Sequence, residues 1–321
     1  MTQRVEVNHL LILTGASSGF GRSLCEVLAA RIRIPMHAVL IGRSASELRE
    51  TSVQMTAARG GRAFTYECVS CDMSSPVEFI SVMDRVFHLC LDARYSDVTF
   101  VSNAGSLGEM ESIGNLSTEH IQRTIQLNFA TPCAMMSEFV RQCKLSSRRN
   151  LRVSVVNTSS LWAIEPCKTF SSYCSSKAGI EMFMKCLAIE NATPAPEGPI
   201  IKVLNYAPGP MNTAMQQLIR SSLSADADVQ TFCKKLFNEN KLVDTYVSAV
   251  KCARLIIEHM YSTGSHIDFY DQVEGIDFPS SKPTTCCNCT YCQCGPSCQC
   301  RPKMIPDCDP CADFASSKLN I

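Results

Sequence analysis

Residues 9–21 read HLLILTGASSGFG. A continuous apolar run leads into glycines 15, 19 and 21, and a helix-forming stretch follows. Such a run suits a strand buried on both faces. Glycine lets the chain turn sharply and lets a phosphate come close to the backbone. A helix starting near Phe20 would turn its positive end toward that phosphate. Strand, glycine turn and helix in this order restrict the chain to folds in which a parallel strand feeds a helix beneath a nucleotide. Gly15, Ser17, Ser18, Gly19, Phe20 and Gly21 are the candidate contacts in this loop.

The rest of the chain keeps the same rhythm. Apolar runs recur at 37–42, 63–70, 97–103, 151–159, 200–208 and 266–271. Helical patterns lie between them at 20–33, 45–59, 75–91, 117–143, 172–191, 213–221 and 246–260. This alternation predicts an α/β fold, a doubly wound Rossmann-type parallel sheet of about seven strands with helices on both faces. With 45% apolar and 19% charged residues the chain can bury a sizeable core. Lys+Arg and Asp+Glu balance at 30 each, which removes the electrostatic case for nucleic acid or an anionic membrane as partner. No run of 18 apolar residues suggests a membrane span. The N-terminal apolar stretch reads as a first strand and not a signal peptide, so a cytoplasmic location is the expectation.

The ends of the later strands carry further candidates. Where an enzyme using NAD usually has an acidic residue after the second strand, this chain has Arg43 and Ser44. A guanidinium suits a 2′-phosphate and favours NADP(H). Asp72 and Met73 follow the third strand, in place to receive an adenine amino group. Asn103, Ala104 and Gly105 follow the fourth, and the two small residues would let a cofactor lie against the backbone.

Ser160 follows the fifth strand and stands thirteen residues before Tyr173. Tyr173 and Lys177 are four apart on the next helix and so share a face. An ammonium beside a phenol is expected to lower the phenol's pKa and fit it for general acid catalysis near neutral pH. The serine hydroxyl can hold the substrate oxygen.

The motifs T-G-x-x-x-G-x-G, N-A-G, S-x12-Y-x-x-x-K and P-G stand in one order across residues 9–271. In this the chain resembles the short-chain dehydrogenases/reductases. The resemblance implies a nicotinamide cofactor, a catalytic Ser160, Tyr173 and Lys177, and a role for Asn128 in holding a water of the proton relay to the lysine. It also implies that Pro208 and Gly209 pass over the nicotinamide. Ser102-Asn103 replaces the family's double asparagine, a mild departure. Within the family, SNAGSLG, NYAPGPMNTAMQQL and GSHIDFYD are similar to the sepiapterin reductases. That similarity implies NADPH-dependent reduction of side-chain carbonyls of a 6-substituted pterin, on the tetrahydrobiopterin pathway. Asp268 would hold the amino-pyrimidine edge, Met215 would line the pocket, and Ser160, Tyr173 and Gly209 would face the substrate. Those reductases often have an arginine where this chain has Ser18, which leaves Arg43 to hold the 2′-phosphate with less help. A homodimer packed through 117–143 and 172–191 is expected on the same ground. Reduction of small diketones with the same three residues is the alternative within enzymes. A metal-binding or metal-sensing protein on a vestigial reductase scaffold is the alternative outside them.

Twenty cysteines divide into two sets. Eleven are scattered over 25–252 in apolar or helical settings and read as free thiols acting as small hydrophobes. The other nine are Cys286, Cys287, Cys289, Cys292, Cys294, Cys298, Cys300, Cys308 and Cys311. Three C-x-C pairs and one C-x-x-C without a histidine favour thiolates that bridge metals, in the manner of a metallothionein, which this segment resembles. Nine thiolates would hold about three Zn ions, or more Cu(I). The expected organisation is a reductase domain over 1–279, a linker over 280–285 and a Cys-rich metal-binding tail over 286–321.

Overall fold

The computed structural model describes residues 8–273, apart from 147, 149, 195 and 197. The linker and all nine tail cysteines expected to bind metal lie outside the described residues. Seven strands form one parallel sheet: β1 Asn8–Thr14, β2 Met36–Gly42, β3 Phe64–Ser70, β4 Tyr95–Ser102, β5 Arg152–Thr158, β6 Ile200–Ala207 and β7 His266–Asp268. Their order is β3-β2-β1-β4-β5-β6-β7. The chain winds one way from β1 to β3 and the other way from β4 on. The crevice at this reversal, beyond the carboxyl ends of β1 and β4, is where open α/β sheets bind ligands.

Each face of the sheet has its own core. Leu10, Ile12, Phe100, Val153 and Val203 point to one side, beneath α3 (Pro76–Val86), α5 (Thr131–Leu145) and α6 (Ser171–Glu190). Leu11, Leu13, Leu40, Val156 and Leu204 point to the other, beneath α1 (Gly19–Arg31), α2 (Ala45–Arg59) and α9 (Thr245–Glu258). Neighbouring residues of one strand thus serve opposite cores, which is why the strands read as unbroken apolar runs. β3 departs from the expectation. It is the sheet edge, and most of its residues are exposed or half-buried.

Local chemistry sets the helix ends. Ser44 and Ser75 cap α2 and α3 by accepting the N–H groups of Glu47 and Glu78, and Pro76 opens α3. The helix expected over 117–143 is interrupted. α4 (Thr118–Ile125) passes through a π turn at Gln126–Ala130 before α5 begins. Thr131 donates its N–H to the Gln126 carbonyl, five residues back. Pro132 has no N–H for the carbonyl of Asn128, so the regular ladder cannot run through this point.

Three other boundaries differ from the sequence reading. α3 gives way to a 3₁₀ turn at Phe87–Leu91. β7 stops at Asp268, where the Asp268 carboxylate accepts the N–H of Tyr270 and its carbonyl accepts that of Asp271. Beyond α7 (Ala214–Ser221), an unforeseen helix α8 (Ala227–Asn238) is capped by Asp226. Together with the start of α6 these two helices build a third apolar cluster from Leu107, Phe170, Tyr173, Ile219, Ala225 and Cys233, with Met215 and Trp162 packed against it.

Candidate active site

Every residue singled out in the sequence up to Asp268 lies at or beyond the carboxyl end of a strand, or on a helix packed against those ends. The glycine loop adopts the conformation its composition permits. Gly15 and Gly19 have φ of 69° and 53°, in the left-handed region. A Cβ on Gly15 would stand 2.9 Å from the Ala104 nitrogen, and one on Gly21 would stand 2.2 Å from the Gly15 carbonyl oxygen. Asn103 draws the β4 end onto this loop by donating its amide to the Gly15 carbonyl at 3.0 Å. The Thr14 hydroxyl accepts the N–H groups of Asn103 and Ala104 at 3.0 and 3.1 Å.

Ser18 precedes α1 in extended conformation and makes no side-chain cap, and the first turn holds no acidic residue. The positive end of α1 is therefore not countered by its own side chains. Ser17, Ser18, Arg43, Ser44 and Glu47 line a cleft of about 380 Å³ beside it. Three serines, a guanidinium and a helix N-terminus make a donor set that fits a phosphorylated ribose. Buried Met73 lies beneath the neighbouring β3 loop. Asp72 accepts the Ser74 N–H and hydroxyl at 2.9 and 2.7 Å, and these bonds hold its carboxyl below the usual range.

Ser160, Tyr173 and Lys177 come together as the spacing predicts. Tyr173 and Lys177 are each 6% exposed, and the ammonium stands 5.8 Å from the centre of the phenol ring. Lys177 Nζ donates to the Thr158 carbonyl at 2.8 Å. The expected lowering of the phenol does not occur in this arrangement. Burial pushes Tyr173 up to about 12, against a hydrogen bond to Ser160 that pulls it back. Burial also brings Lys177 down to about 8. Desolvation outweighs attraction here because the ammonium is turned to a backbone carbonyl. A phenol that keeps its proton at neutral pH is still in the form a proton donor requires.

Asn128 sits inside the π turn and is 2% exposed. Its side chain accepts the Ser106 N–H at 2.9 Å and donates to the Ser106 carbonyl and the Ser176 hydroxyl at 2.7 and 3.2 Å. A Cβ on Gly105 would lie 3.3 Å from Asn128 Oδ1 and 3.7 Å from Lys177 Nζ, so Gly105 keeps the ground between them open. Pro208 is buried, and Gly209 (φ 79°) is packed against Val243 and Phe269. Met215 and Trp162 border the Tyr173 cluster, and the indole meets the phenol edge-on at 6.1 Å. Asp268 pairs with Ala207 in the sheet register, and burial raises its carboxyl above the usual range, partly offset by the Tyr270 N–H. Fully buried Lys251 fixes this turn by donating to the carbonyls of Asp268 and Phe269, each at 2.9 Å, and of Asp271.

Sequence reasoning missed the residues that hold this set together: Thr14, Ser106, Trp162, Lys251 and the buried Glu181. Only Glu181 left a signal. A charged residue stands on the buried stripe of α6, one turn beyond Lys177. The eleven cysteines of 25–252 are free thiols, six of them buried and Cys186 exposed. Among the described residues no cluster of histidine, cysteine and carboxylate side chains is suited to a metal. No described helix is long and apolar enough to cross a membrane.

Fold and site together define a dinucleotide-binding oxidoreductase scaffold. Residues 9–224 match the short chain dehydrogenase family, and the chain belongs to it. It is 32% identical over 264 residues to sepiapterin reductase of Rattus norvegicus, an alignment covering 81% of this chain and 95% of the rat protein. It is 29% identical over 218 residues to benzil reductase ((S)-benzoin forming) of Bacillus subtilis, covering 68% and 81% of the two chains. A short chain dehydrogenase/reductase of Saccharomyces cerevisiae superposes with a TM-score of 0.68 at 22% identity, covering 82% of this chain and 96% of the other.

Proposed function

We propose that the protein reduces the side-chain carbonyl of a 6-substituted pterin with NADPH. The observation that carries this reading is the meeting of Ser160, Tyr173 and Lys177 beside the glycine loop and the Arg43 cleft. Ser17, Ser18, Arg43 and Ser44 hold the 2′-phosphate end of the cofactor, and Asp72 and Met73 the adenine end. Asn103, Ala104, Gly105, Pro208 and Gly209 form the bed for the nicotinamide half. Bound NADPH supplies the hydride. Ser160 holds the carbonyl oxygen, and the Tyr173 hydroxyl gives it a proton as negative charge develops there. Lys177, charged below about pH 8, stabilises the phenolate left behind and binds the ribose. Asn128 keeps α4 and α5 in register with this centre and supports the relay that returns the proton. Asp268 accepts two N–H groups of the pterin edge, and Met215 packs on its ring.

Support for the pterin comes from the several sepiapterin reductases among the relatives and from the placement of Asp268. The benzil reductase relatives favour a second reading, in which a small diketone takes the same place. Turnover of sepiapterin and of benzil by the wild type and by Asp268→Ala decides between them. On the pterin reading the substitution cripples sepiapterin turnover and spares benzil. Equal loss with both would overturn it.

The reductase domain extends over 1–279, followed by a linker at 280–285 and a tail at 286–321 whose cysteines hold Zn or Cu(I) in a thiolate cluster. The protein acts in the cytoplasm as a homodimer. Exposed Met182 and Ile189 on α6 and Leu145 on α5 supply apolar surface for that contact.

A further inference from the structure

Glu181 is 2% exposed and has no part in the reaction as described so far. It lies on α6 four residues after Lys177 and eight after Tyr173, so the three share one stripe of the helix, facing the end of β5. That end supplies three consecutive partners. Ser160 hydrogen-bonds Tyr173. The Thr158 carbonyl accepts Lys177 at 2.8 Å. Ser159 donates its hydroxyl to Glu181 Oε2 at 2.6 Å. The contact runs on into β7, where His266 Nδ1 stands 2.9 and 3.0 Å from the two carboxylate oxygens. His266 and Asp268 are two apart and so lie on one face of β7.

We propose that Glu181 is the positioning residue of the active site, fixing Ser160 against Tyr173 and Lys177 and tying both to the strand that carries Asp268. The proposal rests on the reductase reading above. A carboxylate serves because it accepts from both directions at once, from a hydroxyl on the β5 side and from an imidazole on the β7 side. Ser159 is itself anchored, its N–H donating to the Tyr206 carbonyl at 2.7 Å. Ser159 thus ties α6, through the Glu181 carboxylate, to the strand end that carries Ser160.

The charges around this group come from every element that packs on it. Lys185 stands 3.6 Å away on α6, with Lys177 and Tyr173 a turn or two earlier. His266 faces it from β7, with Asp268 and Asp271 beyond. Burial opposes the His266 charge, but the Glu181 hydrogen bond and the carboxylates lift the imidazole above its ordinary value. The ion pair is present where Glu181 is ionised and His266 still charged, and it is lost as the pH rises through that raised value.

The test compares wild type, Tyr173→Phe, Glu181→Gln and Ser159→Ala with NADPH and either sepiapterin or benzil. Glu181→Gln keeps the shape and removes the charge. It is expected to lower kcat between about ten- and a hundredfold, with KM for NADPH within about twofold. Ser159→Ala should lower kcat in the same direction by a smaller factor, and it decides the matter if Glu181→Gln does not fold. The alkaline limb of the kcat profile should shift in Glu181→Gln. A lower melting temperature with unchanged kcat and pH profile in both variants would make the role merely structural and overturn the proposal. A wild type inactive with both carbonyls, or an active Tyr173→Phe, would overturn the reductase reading and this proposal with it. Full activity of Glu181→Gln in an otherwise normal enzyme would overturn this proposal alone.

Discussion

At the scale of single residues, burial shifts Tyr173 and Lys177 in opposite directions. Tyr173 is held up to about 12 and so stays protonated across the working range. Lys177 is brought down to about 8, so its charge is present below that pH and lost above it. Reduction should accordingly be fastest at neutral pH and fall with an apparent pKa near 8, measured as kcat/KM against pH. Tyr173→Phe removes the proton and should cost about 10²- to 10⁴-fold in kcat, while fluorescence titration shows NADPH still bound. Trp162 offers an independent check because it is the chain's one tryptophan. Its indole lies edge-on to the Tyr173 ring and 4.7 Å from the Phe170 ring. An aromatic carbonyl entering beside Tyr173 should quench most of its emission, and Tyr173→Phe should leave that quenching in place. Unchanged emission at saturating ligand would place the substrate elsewhere.

At the scale of elements, the short strand β7 cannot hold itself in place with three residues. Lys251 of α9 does much of the holding, through carbonyls of the turn after Asp268. Its folded pKa, about 8, lies below the ordinary 10.5, so burying it charged costs stability below pH 8. That cost fades as the pH rises toward 10.5. Lys251→Met leaves carbonyls unpaired and should lose about 3 kcal/mol of stability, roughly 5 °C in Tm by calorimetry near pH 7. The turn carrying Asp268 loosens with it, so sepiapterin turnover should suffer more than benzil turnover. Elements of this kind are where the sequence is hardest to read. The central strands are legible because burial on both faces makes them unbroken apolar runs. β3 shows its edge position only once its neighbours are known. The break at Gln126–Ala130 is written in Pro132, but its purpose depends on Ser106 and Ser176, distant in sequence. Helix α8 carries Val229, Phe232, Cys233 and Leu236 at helical spacing, yet it stands between α7 and α9 with no strand on either side, outside the strand–helix alternation that marks the other elements. Ser160, Tyr173 and Lys177 were legible as a group because one helix turn and one strand end place them. Lys251 was not, and Glu181 showed only as a charge on a buried helix stripe, because their partners are set by tertiary packing.

At the scale of the whole molecule, the proposed reductase centre and the proposed metal-binding tail share one chain without sharing residues. The proposed reductase centre would use hydroxyls, an ammonium and a carboxylate, and no metal is required by any step proposed for it. The tail offers thiolates in C-x-C pairs, beyond a segment of proline, serine and threonine. If the two are separate modules, metal content and turnover should respond to different changes. Full-length protein purified under reducing conditions should carry about three divalent ions, or more Cu(I), by mass spectrometry of the native chain and by elemental analysis. A chain ended at Pro279 should carry none and should keep the full-length kcat with NADPH. Acidification below pH 5 should release the metal, because protons compete for thiolates, and on return to neutral pH the reductase activity should recover without added metal. One ion or none per full-length chain would defeat the cluster. A kcat that falls with truncation or with chelation, while KM and fold are unchanged, would join the modules and make the tail part of the enzyme's control.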